Sequence, residues 1–197
     1  MQYTVSKVEY KKVQKEGQKR KRSVIIRTRM LKVIFLDLDG VLNSFDNMRA
    51  MTVLSEDRSM DQWHFHYFDE RCVRWLRYIL KETGAKIVVS STWRSNPSFT
   101  NMWESRHMPD VIIGETPRSA HAFRGIEIRT WMESYGLDKI FSYLIIDDDR
   151  DMLPEHKPHF VHVKGDTGLT MVEARKGIQI LNHPPQPDQW LFRSPDL

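Results

Sequence analysis

At 197 residues, 40% hydrophobic and 28% charged, the chain has the size and composition of one ordinary globular domain with a sizeable core. No apolar run approaches membrane-spanning length, and the N-terminus lacks the apolar stretch of a signal peptide. A single cysteine, Cys72, excludes an internal disulfide and suits a reducing, cytoplasmic setting. The formal charge of +4 conceals an asymmetry: residues 1–32 carry 11 Lys and Arg against 2 Glu (+9), which leaves 19 against 24 (−5) for the remainder.

Residues 1–29 form a basic N-terminal extension around Lys19-Arg20-Lys21-Arg22. Two strand-like runs, Tyr3–Val8 and Ser23–Arg27, flank Gly17. The stretch reads either as a solvated tail or as an arm that contacts nucleic acid. Val33–Leu36 is a short, β-rich apolar run, the pattern of a strand buried on both faces. It stops at Asp37-Leu38-Asp39-Gly40. Two carboxylates two residues apart in extended chain point the same way. At the carboxyl end of a parallel strand they face the crevice where open α/β sheets bind ligands. Close carboxylates repel and are costly to desolvate, and a magnesium ion would relieve both problems. Gly40 permits a sharp turn and close approach of backbone to a ligand.

Residues 44–67 lack clear periodicity and are too few for a large cap domain. They contain Asp57, Asp61 and the pair His64 and His66. No third metal ligand stands at a telling spacing there, so the pair reads as surface or core. Phe68–Gly84 is the clearest helix. Asp69 is its N-cap, Phe68 and Val73 form a staple, and Cys72, Val73, Leu76, Ile79 and Leu80 lie on one face. Ala85–Val89 is a second buried strand ending in Ser90-Ser91-Thr92-Trp93-Arg94. Hydroxyls there can hold a phosphoryl oxygen without carrying charge, and Arg94 reads as a phosphate-binding fork or a salt bridge. Residues 95–110 look irregular, with Met102 and Trp103 in the core or walling the site.

Val111–Gly114 is a third, short strand. A polar loop, 116–124, carries Arg118, His121 and Arg124 ahead of a helix over Ile126–Tyr135. Ser142–Ile146 is a fourth strand that runs into Asp147-Asp148-Asp149. His159–Val163 is a fifth. Thr170 and Glu173 form a capping box at the head of a last helix. Residues 182–197 are a proline-rich tail. The succession of elements predicts an open, three-layer α/β/α sandwich, Rossmann-like, with a mostly parallel sheet and no large cap.

The Asp37-Leu38-Asp39-Gly40 stretch resembles the first motif of the haloacid dehalogenase-like (HAD) phosphohydrolases. The resemblance covers about residues 31–181, within a catalytic domain drawn at 30–181, and its four motifs fall in the expected order. It implies that Asp37 attacks phosphorus and forms an aspartyl-phosphate, and that Asp39 protonates the leaving group and then activates water. It makes Ser91 the second-motif hydroxyl, with Ser90 as runner-up. The third-motif basic residue, usually Lys, falls on Arg124, with Arg118 as the alternative. It assigns Mg2+ to Asp37, the Asp39 backbone and Asp147, with Asp148 in support. Ser91-Thr92-Trp93-Arg94 and Gly168-Leu169-Thr170 look like the HAD domains associated with RNA-repair proteins. The expected activity is therefore phosphatase action on DNA or RNA ends reached through the basic arm. A nucleotide or small-molecule phosphatase, and a non-catalytic nucleic-acid-binding module, are the alternatives. Full repair would need a separate kinase or ligase partner, and no membrane partner is expected.

Overall fold

The computed structural model describes residues 30–54, 68–120 and 123–185. Five parallel strands form one sheet in the order β3-β2-β1-β4-β5. They are β1 (Leu31–Leu36), β2 (Lys86–Val89), β3 (Ile112–Glu115), β4 (Ile140–Asp147) and β5 (Phe160–His162). The helices are α1 (Phe45–Leu54), α2 (Glu70–Thr83), α3 (Pro97–Ser105), α4 (Arg124–Tyr135) and α5 (Met171–Asn182). The sandwich expected from the sequence is what forms.

The period-two alternation of strand side chains builds two cores. Ile34, Leu36, Ile87, Val89, Leu144 and Ile146 pack on one face with side chains from α2, α3 and α5. Val33, Phe35, Val88, Tyr143 and Ile145 pack on the other, against Ile128 and Met132 of α4. Every β1 residue from Val33 to Leu36 is fully buried, as an apolar run between two helical layers must be.

The caps read from the sequence are in place. Asp69 accepts from the Arg71 N–H at 2.9 Å, and Gly84 closes α2 in the left-handed conformation at φ 65°. The Thr170/Glu173 capping box opens α5. Cys72 is buried, and burial pushes its thiol up to about 12, so it is a core thiol rather than a nucleophile.

Two stretches differ from expectation. The segment after residue 44 begins with α1, a helix whose entry is held from afar: Phe45 N–H donates to Gly165 O and Asp46 N–H to Asp166 O, while Arg49 bridges Asp46 and Asp166. Within the stretch read as irregular lies α3. Its Pro97 is the helix's first residue, a position where a missing N–H costs nothing, rather than a break. Phe99, Met102 and Trp103 are core residues. Residues 1–29, the site of the basic arm, lie outside the described residues. So do Asp57, Asp61, His64, His66 and His121, and most of the tail.

The chain winds from β1 to β2 to β3 on one side and then restarts with β4 on the other side of β1. The reversal leaves a crevice between the carboxyl ends of β1 and β4, the usual ligand position in such sheets. Leu36 pairs with Ile146, so Asp37 and Asp147 emerge side by side there.

Candidate active site

Asp37 follows β1 and is 6% exposed; its N–H donates to Ile146 O at 3.0 Å, which fixes where its side chain starts. Beyond it the backbone folds back tightly. The N–H groups of Leu42 and Asn43 both donate to Leu38 O, and Gly40 N–H donates to Asn43 O. Gly40 sits at φ +70°, and a Cβ there would run into the Asp148 carboxylate. Glycine is thus required twice, by the turn and by the carboxylate packed against it.

Asp37, Asp147 and Asp148 each offer an oxygen, and all three atoms lie within 4.8 Å of one another. Burial raises the Asp37 and Asp147 carboxyls above their ordinary range; Asp148 and Asp39 add to the rise at Asp37, Asp37 and Asp148 add to it at Asp147, and Arg124 opposes both. Asp148 is raised too, by burial and by its acidic neighbours.

Arg124 stands between the first two. Its Nη2 is 3.4 Å from Asp37 Oδ1 and its Nε 3.4 Å from Asp147 Oδ2. Burial works against the guanidinium charge, but Asp147 and Asp37 outweigh it and hold the group above its usual value. Arg124 is placed by the start of α4. Phe123, the N-cap, supplies no side-chain bond, and Asp151 takes over from the loop after β4. Its Oδ2 accepts from Arg124 N–H at 2.8 Å and its main-chain oxygen from Gly125 N–H. This cap joins residues remote in sequence, so no local pattern announces it.

Ser91 follows β2, the strand beside β1, and its hydroxyl favours the Asp37 carboxylate. The Ser90 hydroxyl is buried without a hydrogen-bond partner. Arg124, not Arg118, meets the aspartates. Arg118 donates to the carbonyls of Thr92 and Arg94 instead. The fork reading of Arg94 is corrected. Its Nη1 is taken up by Thr116 O, Thr116 Oγ1, Pro117 O and Glu127 Oε2, at 3.0, 2.6, 3.1 and 2.8 Å. At 6% exposure it is a buried structural ion pair that anchors the loop before α4.

Asp39 is held apart from the carboxylate trio. Its Oδ2 accepts from Trp93 Nε1 at 2.6 Å and its Oδ1 from Asn43 Nδ2 at 3.2 Å. Each of its oxygens thus holds one donor, and its side chain lies outside the trio. The Trp93 bond joins segments 54 residues apart, so its partner is not legible in the sequence, whereas Asn43 reaches Asp39 within one turn.

The donor set fits a hard divalent cation. Three carboxylates facing one guanidinium leave a net charge of −2 in a largely buried crevice, which an ion of charge +2 would balance. Asp147 Oδ2 and Arg124 Nη1 are both buried without a hydrogen-bond partner. They are an acceptor suited to a cation and a donor suited to a phosphate oxygen.

Over residues 33–174 the chain matches, and belongs to, the family described as the HAD domain in Swiss Army Knife RNA repair proteins. It is thereby a HAD-type domain of the phosphohydrolase kind. No curated protein and no solved structure matches it. Among the described residues, no helix is long and apolar enough to cross a membrane.

Proposed function

We propose that the protein is a magnesium-dependent phosphatase that works through an aspartyl-phosphate on Asp37 and acts on nucleic-acid ends. The observation that carries the reading is Arg124 bridging Asp37 and Asp147 beside Asp148, with a buried guanidinium nitrogen left unpartnered.

Bound at Asp37, Asp147 and the Asp39 main chain, with Asp148 in support, magnesium would neutralise the carboxylates and draw charge from a phosphate oxygen. The chain's own groups do the rest. Asp37 Oδ attacks phosphorus in line, forming the carboxylate–phosphorus bond while the bond to the leaving oxygen breaks. Asp39 delivers a proton to that oxygen. The resulting Asp39 carboxylate then takes a proton from water as the water attacks phosphorus. Asp37 leaves as a free carboxylate, and inorganic phosphate is released. Ser91 and Arg124 hold Asp37 and the equatorial oxygens over which charge spreads.

Two features favour a polynucleotide over a small phosphate. The family is named for RNA repair proteins. The balance of +9 over residues 1–32 also suits a polyanion, where each neutralised phosphate releases counterions. RNA ends are the first choice on these grounds, with cytoplasmic action and a separate kinase or ligase to reseal them.

The test is a magnesium-dependent screen across 5′- and 3′-phosphorylated RNA and DNA oligonucleotides, nucleotides and sugar phosphates, with the full chain and with residues 1–29 deleted. Deletion should leave turnover of a small aryl phosphate within about threefold, yet raise the oligonucleotide KM roughly tenfold at low salt, a difference that added salt erases. Chelator should abolish activity, Asp147→Asn should raise the magnesium requirement, and calcium should inhibit. Unchanged oligonucleotide hydrolysis after deletion would move the reading to a nucleotide phosphatase. Hydrolysis of nothing would leave a binding module.

A further inference from the structure

We infer that Trp93 is a positioning residue for proton transfer, its indole N–H fixing the carboxylate of Asp39. The inference rests on the reading of Asp39 as the group that moves the proton.

The contact is Trp93 Nε1 donating to Asp39 Oδ2 at 2.6 Å. The same short turn that supplies it also supplies Ser91. Trp93 N–H donates to Ser91 Oγ, Arg94 N–H to Ser91 O and Asn96 N–H to Trp93 O. One turn after β2 therefore holds Asp39 through the Trp93 indole and carries the Ser91 hydroxyl that favours the Asp37 carboxylate. The turn is itself pinned. Ser95, at φ +59°, bonds Glu115 through its N–H and its hydroxyl at 2.9 Å each, and Arg118 donates to the Thr92 and Arg94 carbonyls. The Trp93 ring is half-buried and packs against the larger core, so the N–H is aimed from a fixed platform.

Asp39, two residues past Asp37 on a half-exposed site, carries a charge that repels those of Asp37 and Asp148. A flexible side chain so repelled would spend little time within reach of the leaving oxygen. Displacement of a proton donor by about 1 Å can cost on the order of 100-fold in rate. An indole is suited to prevent this. It donates but cannot accept, so it holds the carboxylate without competing for the proton.

Trp103 supplies the contrast within the same molecule. Its Nε1 donates to Pro109 O at 3.2 Å, a backbone partner, and its ring is 7% exposed in the core. That is what an indole serving packing alone does with its N–H. Trp93 instead spends its N–H on a side chain at the head of the crevice.

The experiment compares Trp93→Phe, which keeps the ring and deletes the donor, with Trp103→Phe, in full-length protein with magnesium. With glycerol phosphate, whose leaving alkoxide needs a proton, Trp93→Phe should lower kcat by roughly tenfold or more with KM within about twofold. With 4-nitrophenyl phosphate, whose leaving group needs no proton, the pre-steady-state burst should stay within about threefold. Trp103→Phe should lower the thermal midpoint and shift both substrates alike. The second readout is the Trp93 indole N–H resonance, identified by its loss in Trp93→Phe, which Asp39→Asn should move while the Trp103 resonance stays.

Equal loss on both substrates, or no loss on either, would overturn the positioning role. An unmoved resonance would overturn the contact itself. Failure of the wild-type protein to hydrolyse either phosphate would instead bring down the phosphatase reading, and the role of Trp93 in it.

Discussion

Two buried clusters of charge share the first turns of α4, and they are built to opposite plans. Around Glu127 the account closes: Oε2 takes Arg94 Nη1 at 2.8 Å, Oε1 takes the Ser119 N–H at 2.9 Å, and one positive group meets one negative group. Around Arg124 it stays open. One guanidinium stands 3.4 Å from each of two carboxylates, with a third beside them and a buried nitrogen unused. The closed cluster balances its charges within its own chain, with Arg94 Nε left buried and unpartnered, and so works as scaffold. The open one sets three carboxylates against one guanidinium, and that imbalance marks it as the candidate site.

The comparison breaks first at Asp37. Asp37→Asn should cut kcat by about 10⁴-fold or more, because the attacking charge is gone. Its thermal midpoint should hold or rise, since one of three repelling charges has been removed. Substantial turnover in this variant would show that the covalent step lies elsewhere. Next comes Arg124→Met, expected to lose about 10²–10³-fold in kcat while remaining folded, as removal of a charge-stabilising donor does. Circular dichroism beside single-substrate kinetics separates the two effects.

Arg94→Met should do the reverse. It strands Glu127 in the interior and should cost about 3–5 kcal/mol of stability, read by urea unfolding, while kcat per folded molecule stays within several-fold. The double variant Arg94→Met/Glu127→Gln should recover part of the loss. A stable Arg94→Met protein with weakened phosphate binding would restore the fork.

The smallest expected effect comes from a third buried cluster that carries no charge at neutral pH. His156 and His159 lie by Tyr143, with His159 stacked on its ring at 3.9 Å and its Nδ1–H donating to Tyr143 O. Burial holds both imidazoles down to about 4, against 6.5 for the ordinary side chain. The unfolded chain therefore takes up protons first as the pH falls. Stability is full above about pH 6.5 and drains away from there down to about pH 4. Between pH 7 and 5 the urea midpoint should drop by the equivalent of about 1–3 kcal/mol, and His156→Gln should flatten that slope. A slope unchanged by the substitution would place the acid sensitivity with the carboxylates.

What the sequence made legible was whatever lies along one stretch of chain. The apolar runs that end in Asp37 and Asp147, the Asp69 and Gly84 caps of α2, and the Thr170/Glu173 box are all local patterns, and local physics sets them. The helix α1 escaped because its apolar stripe is short and weak, and its start is anchored at Gly165 and Asp166. The helix α3 escaped within 95–110, a stretch that looks irregular although Pro97 starts a helix there. Arg94 with Glu127, Trp93 with Asp39, and Asp151 with the head of α4 are pairings between distant segments, each costing or gaining energy only once the sheet has formed. Spacing along the chain carries no trace of them.

The strand order carries a consequence for the nascent chain. When synthesis has passed β3, the sheet can exist only as β3-β2-β1, with β1 at its rim. β1 is the most apolar strand of the domain, and its unpaired rim invites pairing with another chain until Ile140–Asp147 arrives to cover it. The seam that β4 closes is also the one that brings Asp147 to Asp37. Protection of the rim and assembly of the acidic trio are therefore one event. A ribosome stalled before Ile140 would hold a chain that is both inert and adhesive, and release past Asp148 would end both conditions together.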